Sequence, residues 1–112
     1  MKVAIVVLSD TATNGDMGRV ANALEAAKAL KESKGDIKLI FDGAGTKWLC
    51  ELSEPDHPLH SLFESVKVDI TGACSSCAVA FGAKEGVLAC GIPLLAEYDR
   101  KLGSQGYQVI AF

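Results

Sequence analysis

The feature that most constrains this chain is a series of short apolar runs separated by segments of helical periodicity. Residues 3–8 read Val-Ala-Ile-Val-Val-Leu, without a polar residue. A strand with one wet face would alternate. A continuous run suits a strand covered on both faces, as in a parallel sheet. The run is too short for a membrane span or the core of a signal peptide, and residues 9–15, rich in Ser, Asp, Thr, Asn and Gly, read as a loop. A helix is predicted over 16–33, where Val20, Leu24, Ala27 and Leu30 recur at helical spacing. Asp16 is expected to cap its start and Gly35 to end it.

The alternation continues to the last residue. Residues 37–41 read as a second apolar strand, 42–45 as a Gly-containing turn and 46–52 as a helix. Glu54-Pro-Asp-His-Pro58 breaks that helix. A short helix over 60–65, an alternating strand over 66–71 and a turn over 72–74 follow. Residues 75–83 read as a small-residue helix, 92–95 as a fourth strand, 96–104 as a helix closed by Gly106, and 107–112 as a final strand. Strands alternating with helices imply parallel pairing through right-handed crossovers. The expectation is a single α/β domain over 1–112, with a five-stranded, mostly parallel sheet and helices on both faces.

At 49% hydrophobic and 22% charged residues, the composition supplies a core and argues against disorder. A chain of 112 residues still leaves apolar surface that self-association would cover. The net charge is -3 and the isoelectric point about 5.3, with no basic stripe interleaved with aromatics. No nucleic-acid partner and no membrane segment are therefore expected, and the expected location is cytoplasmic.

In open α/β sheets, sites gather outside the carboxyl ends of the strands. Three loops meet that condition here: 9–16, 42–45 and 72–77. Cys74 is predicted at the junction of a strand and a helix, where unpaired amides and the helix dipole favour a thiolate. Cys77, one turn on, could resolve a mixed disulfide formed on Cys74, or pack as a small apolar residue. Cys50 and Cys90 sit in apolar company, Trp48-Leu49-Cys50 and Leu88-Ala89-Cys90, and read as packing residues.

A lone Cys-x-x-Cys late in the chain is not the early placement of a thioredoxin-like pair. Zinc needs four ligands. His57 and His60, on either side of Pro58, read as loop residues, so no metal and no bound cofactor is expected. Gly43 and Gly45 precede a helix whose amides could hold an anion, although neither the dinucleotide pattern nor a P-loop is present. Asn14 and Asp16 read first as turn and cap. In a binding module, Asn14, Asp16, Gly43 and Gly45 would be the ligand contacts.

Several segments together resemble the DsrE/DsrF-like family of small sulfur-relay proteins. The first strand, polar loop and long Ala-rich helix are similar to its opening. Phe41-Asp-Gly-Ala-Gly-Thr-Lys-Trp-Leu49 is similar to its second strand, turn and helix. Val68 to Cys74 resembles its third strand, ending in cysteine. Gly91-Ile-Pro-Leu-Leu95 and Gly106-Tyr-Gln-Val-Ile110 resemble its close. The resemblance implies a flavodoxin-like three-layer protomer that forms trimers or hexamers. It also implies a persulfide carried on the cysteine after the third strand, a position that Cys74 matches, with sulfur donor and acceptor proteins as partners. Cys77 is an addition to that pattern. Three readings stay open: a sulfur carrier or thiol-exchange protein using Cys74 and Cys77, a binding or assembly module with structural cysteines, and, least favoured, a zinc site at Cys74 and Cys77 that metal analysis showing no zinc would dispose of.

Overall fold

A computed structural model of the chain describes residues 1–96 and 102–112. Its elements are β1 (Lys2–Val7), α1 (Asn14–Glu32), β2 (Asp36–Phe41), a 3-10 turn (Gly43–Lys47) running into α2 (Trp48–Leu52), and α3 (His60–Val66). They continue with β3 (Ile70–Cys74), α4 (Ser75–Ala80), α5 (Lys84–Ala89), β4 (Leu94–Leu95) and β5 (Gln108–Ala111). The five strands pair in the order β4-β3-β2-β1-β5, and every pairing is parallel. This is the expected three-layer, flavodoxin-like α/β class, with the sheet wholly rather than mostly parallel.

The unbroken apolar run has the expected cause. β1 is flanked by β2 and β5, and Val3 to Val7 are all buried. Val3, Ile5 and Val7 point to one face, where Leu24 and Ala27 of α1, Leu49 of α2, Phe63 of α3, Ala78 of α4 and Val87 of α5 join a single core. Ala4 and Ile40 point to the other face, beneath Leu102, with Leu95 and Tyr107 beside them. The links β1–β2, β2–β3 and β3–β4 thus cross the first face. Between β4 and β5, Leu102 packs on the second face. The helix expected over 96–104 falls largely on residues 97–101, which lie outside the described residues, while 102–106 form turns.

Three local expectations are corrected. The cap of α1 is Thr13, not Asp16. The Asp16 amide donates to Thr13 Oγ1 at 3.0 Å and the Thr13 amide donates to Asp16 Oδ2 at 3.1 Å, a reciprocal capping box that stabilises a helix start by about 1 kcal/mol. At the far end, the left-handed residue is Lys34 (φ 61°), and Gly35 follows it. The third strand begins at Ile70, later than the alternation of 66–71 suggested. Val66 ends α3 with its side chain in the core, and Val68 is 91% exposed. The alternation of Val66, at the end of α3, with Val68, in the 3-10 turn Lys67–Asp69, thus imitated a strand.

The small-residue helix expected over 75–83 ends at Ala80. Gly82 adopts φ +67°, and a further helix, α5, follows where none was anticipated. Among the described residues no helix is long and apolar enough to cross a membrane.

Candidate functional site

The crossover from β3 to β4 runs over the large-core face, where Ala78 of α4 and Val87 of α5 are buried. In parallel α/β sheets, functional groups gather at the carboxyl ends of the strands. Cys74 is the last residue of β3, stands in register with Leu95 of β4, and is the residue from which α4 starts. The residue is 9% exposed. Cys77 lies one helical turn further and is partly buried.

Asp42 completes the cluster from the end of β2, the other neighbour of β3. One donor atom from each of Asp42, Cys74 and Cys77 lies within 4.8 Å of the other two. The Cys77 thiol donates to Asp42 Oδ1 at 3.2 Å, and the Gly43 amide donates to the same oxygen at 2.7 Å. Cys74 Sγ and Ser76 Oγ are hydrogen-bonded at 3.4 Å. The two thiols therefore differ in surroundings, one facing a carboxylate and the other a hydroxyl.

Burial pushes the Cys77 thiol up from 9.0 to about 11. Hydrogen bonds with Cys74 and Asp42 and the Asp42 charge add to this, and the Gly43 amide opposes it. The fold thus favours protonated Cys77. That contribution to stability is complete below pH 9.0 and is lost as the pH rises toward about 11. Asp42→Asn removes the charge, so Cys77 is expected to titrate at lower pH than in the wild type. Ultraviolet thiolate absorbance in a Cys50→Ser/Cys90→Ser background reads this. An unchanged titration would mean that Asp42 does not hold the proton.

The other nominated residues are distributed as follows. Asn14 is exposed in the first turn of α1. Asp16 is engaged in the capping box and in an ion pair with Arg19 at 3.3 Å. Gly43 adopts φ +54° and its amide serves Asp42, while the Gly45 amide donates to the Asp42 carbonyl at 2.9 Å. The turn amides proposed for an anion are thus engaged within the turn itself.

His57 meets the edge of Trp48, and its Nδ1 accepts the Leu59 amide. His60 Nδ1 contacts the Leu52 carbonyl. Neither histidine belongs to the thiol cluster among the described residues. Cys90 donates to the Val87 carbonyl, as a packing residue would. Cys50 is exposed rather than enclosed, although its Cβ lies against Gly86 of α5.

Sequence reasoning nominated the 42–45 turn but passed over Asp42 itself, and it did not consider Ser76. Asp42 was identifiable as the last polar residue before a Gly turn at a strand's carboxyl end. Its pairing with Cys77 depends on β2 lying beside β3.

The fold and this cluster define a class: a small α/β protein with an all-parallel sheet, and two thiols and a carboxylate at the carboxyl ends of its neighbouring strands β2 and β3. No model of a known protein family matches the chain. Over 86 residues it is 37% identical to the uncharacterized protein MJ0733 of Methanocaldococcus jannaschii, a match covering 76% of this chain and 70% of that protein, and it belongs to the same family.

Two solved structures share the fold. The conserved protein of unknown function BT1422 from Bacteroides thetaiotaomicron superposes with a TM-score of 0.62 at 21% identity, covering 97% of this chain and 94% of its own. The ychN protein from E. coli superposes with a TM-score of 0.57 at 14% identity, over 100% of both chains.

Proposed function

We propose that this protein is a DsrE/DsrF-like sulfur carrier that takes up sulfane sulfur on Cys74 and releases it with the help of Cys77. The observation that carries the reading is the pairing of a strand-end cysteine with a second thiol whose proton is held by a carboxylate. In the first step, the Cys74 thiolate attacks the outer sulfur of a donor R–S–SH. An S–S bond forms to Cys74, the donor S–S bond breaks, and RS⁻ leaves, giving Cys74–S–SH.

In the second step, Cys77 passes its proton to Asp42 and attacks the Cys74 sulfur. HS⁻ leaves and a Cys74–Cys77 disulfide remains. Sulfane sulfur has been reduced and two thiols oxidised, so an external dithiol must restore the pair. Delivery to a protein acceptor would replace the second step with attack of that partner's thiolate on the outer sulfur. Such chemistry needs reduced thiols and fits the cytoplasm.

The direct test is peptide mass analysis after incubation with polysulfide. One added sulfur, about 32 Da, is expected on the peptide holding Cys74. An unmodified Cys74 after that treatment would overturn the reading.

The proposal extends to self-association of the chain. Val79 (60% exposed) in the thiol helix and Phe81 at its end are exposed, and so are Val109 and Ile110 on the edge strand β5. Apolar residues on an edge strand and beside a site are surface that a second copy would cover. Sedimentation velocity is expected to give a mass of several chains, a trimer or hexamer. A monomer at micromolar concentration would rule this out.

A further inference from the structure

We propose that Asp42, Cys74 and Cys77 form a three-ligand site for a thiophilic divalent cation of the Zn2+ class, with the fourth position open to water or an incoming thiol. This goes beyond sulfur transfer and does not depend on it. In the sequence, Cys74 and Cys77 supply only two of the four ligands that zinc takes. The fold adds a third donor from the neighbouring strand, so that one donor atom of each residue lies within 4.8 Å of the others.

Zn–S bonds of about 2.3 Å and Zn–O bonds of about 2.0–2.2 Å place tetrahedral donors roughly 3.5–3.8 Å apart. The separation of 3.2 Å between Asp42 Oδ1 and Cys77 Sγ is already close to that spacing. The widest pair needs a closure of about 1 Å, which χ1 adjustment of a cysteine supplies.

The supports are those of a ligand set. Two donors stand at the ends of paired central strands and the third is in the first turn of the helix that follows. The Gly43 amide orients the carboxylate, and the Ser76 hydroxyl contacts the Cys74 sulfur. Hydrogen bonds of this outer kind fix ligand orientation and tune affinity. The donor set also discriminates. Two sulfurs out of three exclude Ca2+ and Mg2+, which take oxygen. The carboxylate favours Zn2+ over monovalent copper, which prefers thiolate and thioether. Three protein ligands with a vacant fourth position is the pattern of an exchangeable site rather than a closed structural one.

The test uses Co2+ as a spectroscopic probe in the reduced, full-length protein. Thiolate-to-cobalt charge-transfer bands and intense tetrahedral d–d bands are expected to saturate at one ion per chain and to disappear on adding Zn2+. A Cys50→Ser/Cys90→Ser protein should keep both sets of bands, whereas Cys77→Ser and Asp42→Ala should weaken binding at least about tenfold. Absence of the thiolate–cobalt bands in the wild type would overturn the site, as would bands undiminished by either ligand substitution.

The unaltered protein gives a second readout. Zn2+ should protect Cys74 and Cys77 together from alkylation while leaving Cys50 reactive, and a chelator should restore labelling. Equal labelling with and without Zn2+ would contradict the proposal even if the variants failed to fold. Loss of polysulfide uptake on its own would leave this inference untouched, because neither readout uses a sulfur donor.

Discussion

Replacing Cys74 with serine is expected to abolish sulfur uptake, while replacing Cys77 with serine is expected to preserve uptake and prolong the persulfide. The opposite outcomes follow from the two positions. Cys74 ends β3 and starts the helix that follows, so its sulfur is the one assigned to attack the donor. A serine hydroxyl stays protonated at neutral pH and forms no persulfide, so the addition of about 32 Da should vanish from that peptide. Cys77 is assigned the release step, which requires its proton to reach Asp42 Oδ1, 3.2 Å away.

Without that thiol, sulfide must be released by a thiol from solution. Loss of an intramolecular attacker should slow release at least about a hundredfold. Sulfide evolution after loading, followed against time in both variants, makes the comparison. Uptake retained in Cys74→Ser would remove Cys74 from the chemistry. Release at the wild-type rate in Cys77→Ser would reduce Cys77 to a packing residue.

Gly45→Ala is expected to be the most damaging conservative substitution for stability. A Cβ built at Gly45 would stand 2.1 Å from the Val7 carbonyl oxygen and 2.8 Å from its carbon. Both obstacles are backbone atoms of β1, so no rotamer change relieves them. The 3-10 turn after β2 must withdraw from β1, taking with it Trp48, whose indole N–H donates to the Ser9 and Asp10 carbonyls at 2.9 and 3.1 Å.

Overpacking of a buried position costs roughly 1–3 kcal/mol, and an immovable obstacle places this case at the upper end. A loss of about 3 kcal/mol lowers the Tm of a domain this size by more than about 10 °C. Urea unfolding of the pair would measure it. The same substitution at Gly18, which has nothing within 4 Å of its Cβ position, should cost nothing comparable. Equal stabilities for Gly45→Ala and wild type would mean that the turn is free to move.

The sheet was legible in the sequence because β1 is an interior strand, paired on both edges and buried on both faces. Five consecutive apolar residues from Val3 to Val7 have no other comfortable environment in so short a chain. Long amphipathic segments such as α1 declared themselves by period. Boundaries were less legible where short-range and tertiary demands compete. Val66 and Val68 alternate in sequence, yet one is buried by a helix and the other by nothing. Thr13 became the cap of α1 because it and Asp16 satisfy each other's amides, a choice that Asp16 alone does not reveal.

The site was half legible. Cys74 and Cys77 are local in sequence, and helix spacing brings them together. Asp42 joins them only because β2 and β3 are neighbours in the sheet, and sequence periodicity carries no information on strand order. Cys50, read as a packing residue from its apolar neighbours, is exposed, since a helix turns successive residues through all directions.

The strand order also sets a schedule for assembly. Each of β2, β3 and β4 docks beside the strand made just before it, so the sheet can grow at one edge while the ribosome is still working. β5 alone must travel back across the finished sheet to reach β1, whose Val3 to Val6 pair with Gln108 to Ala111. Closing that long chain excursion makes β5 the slowest and last contact to form. Pulse-labelled hydrogen exchange during refolding should show β5 amides protected after those of β2 and β3, and simultaneous protection would contradict this order. Until β5 arrives, one side of the most apolar strand in the molecule is an open edge, and this interval is when the nascent protein is most exposed to mispairing with other chains.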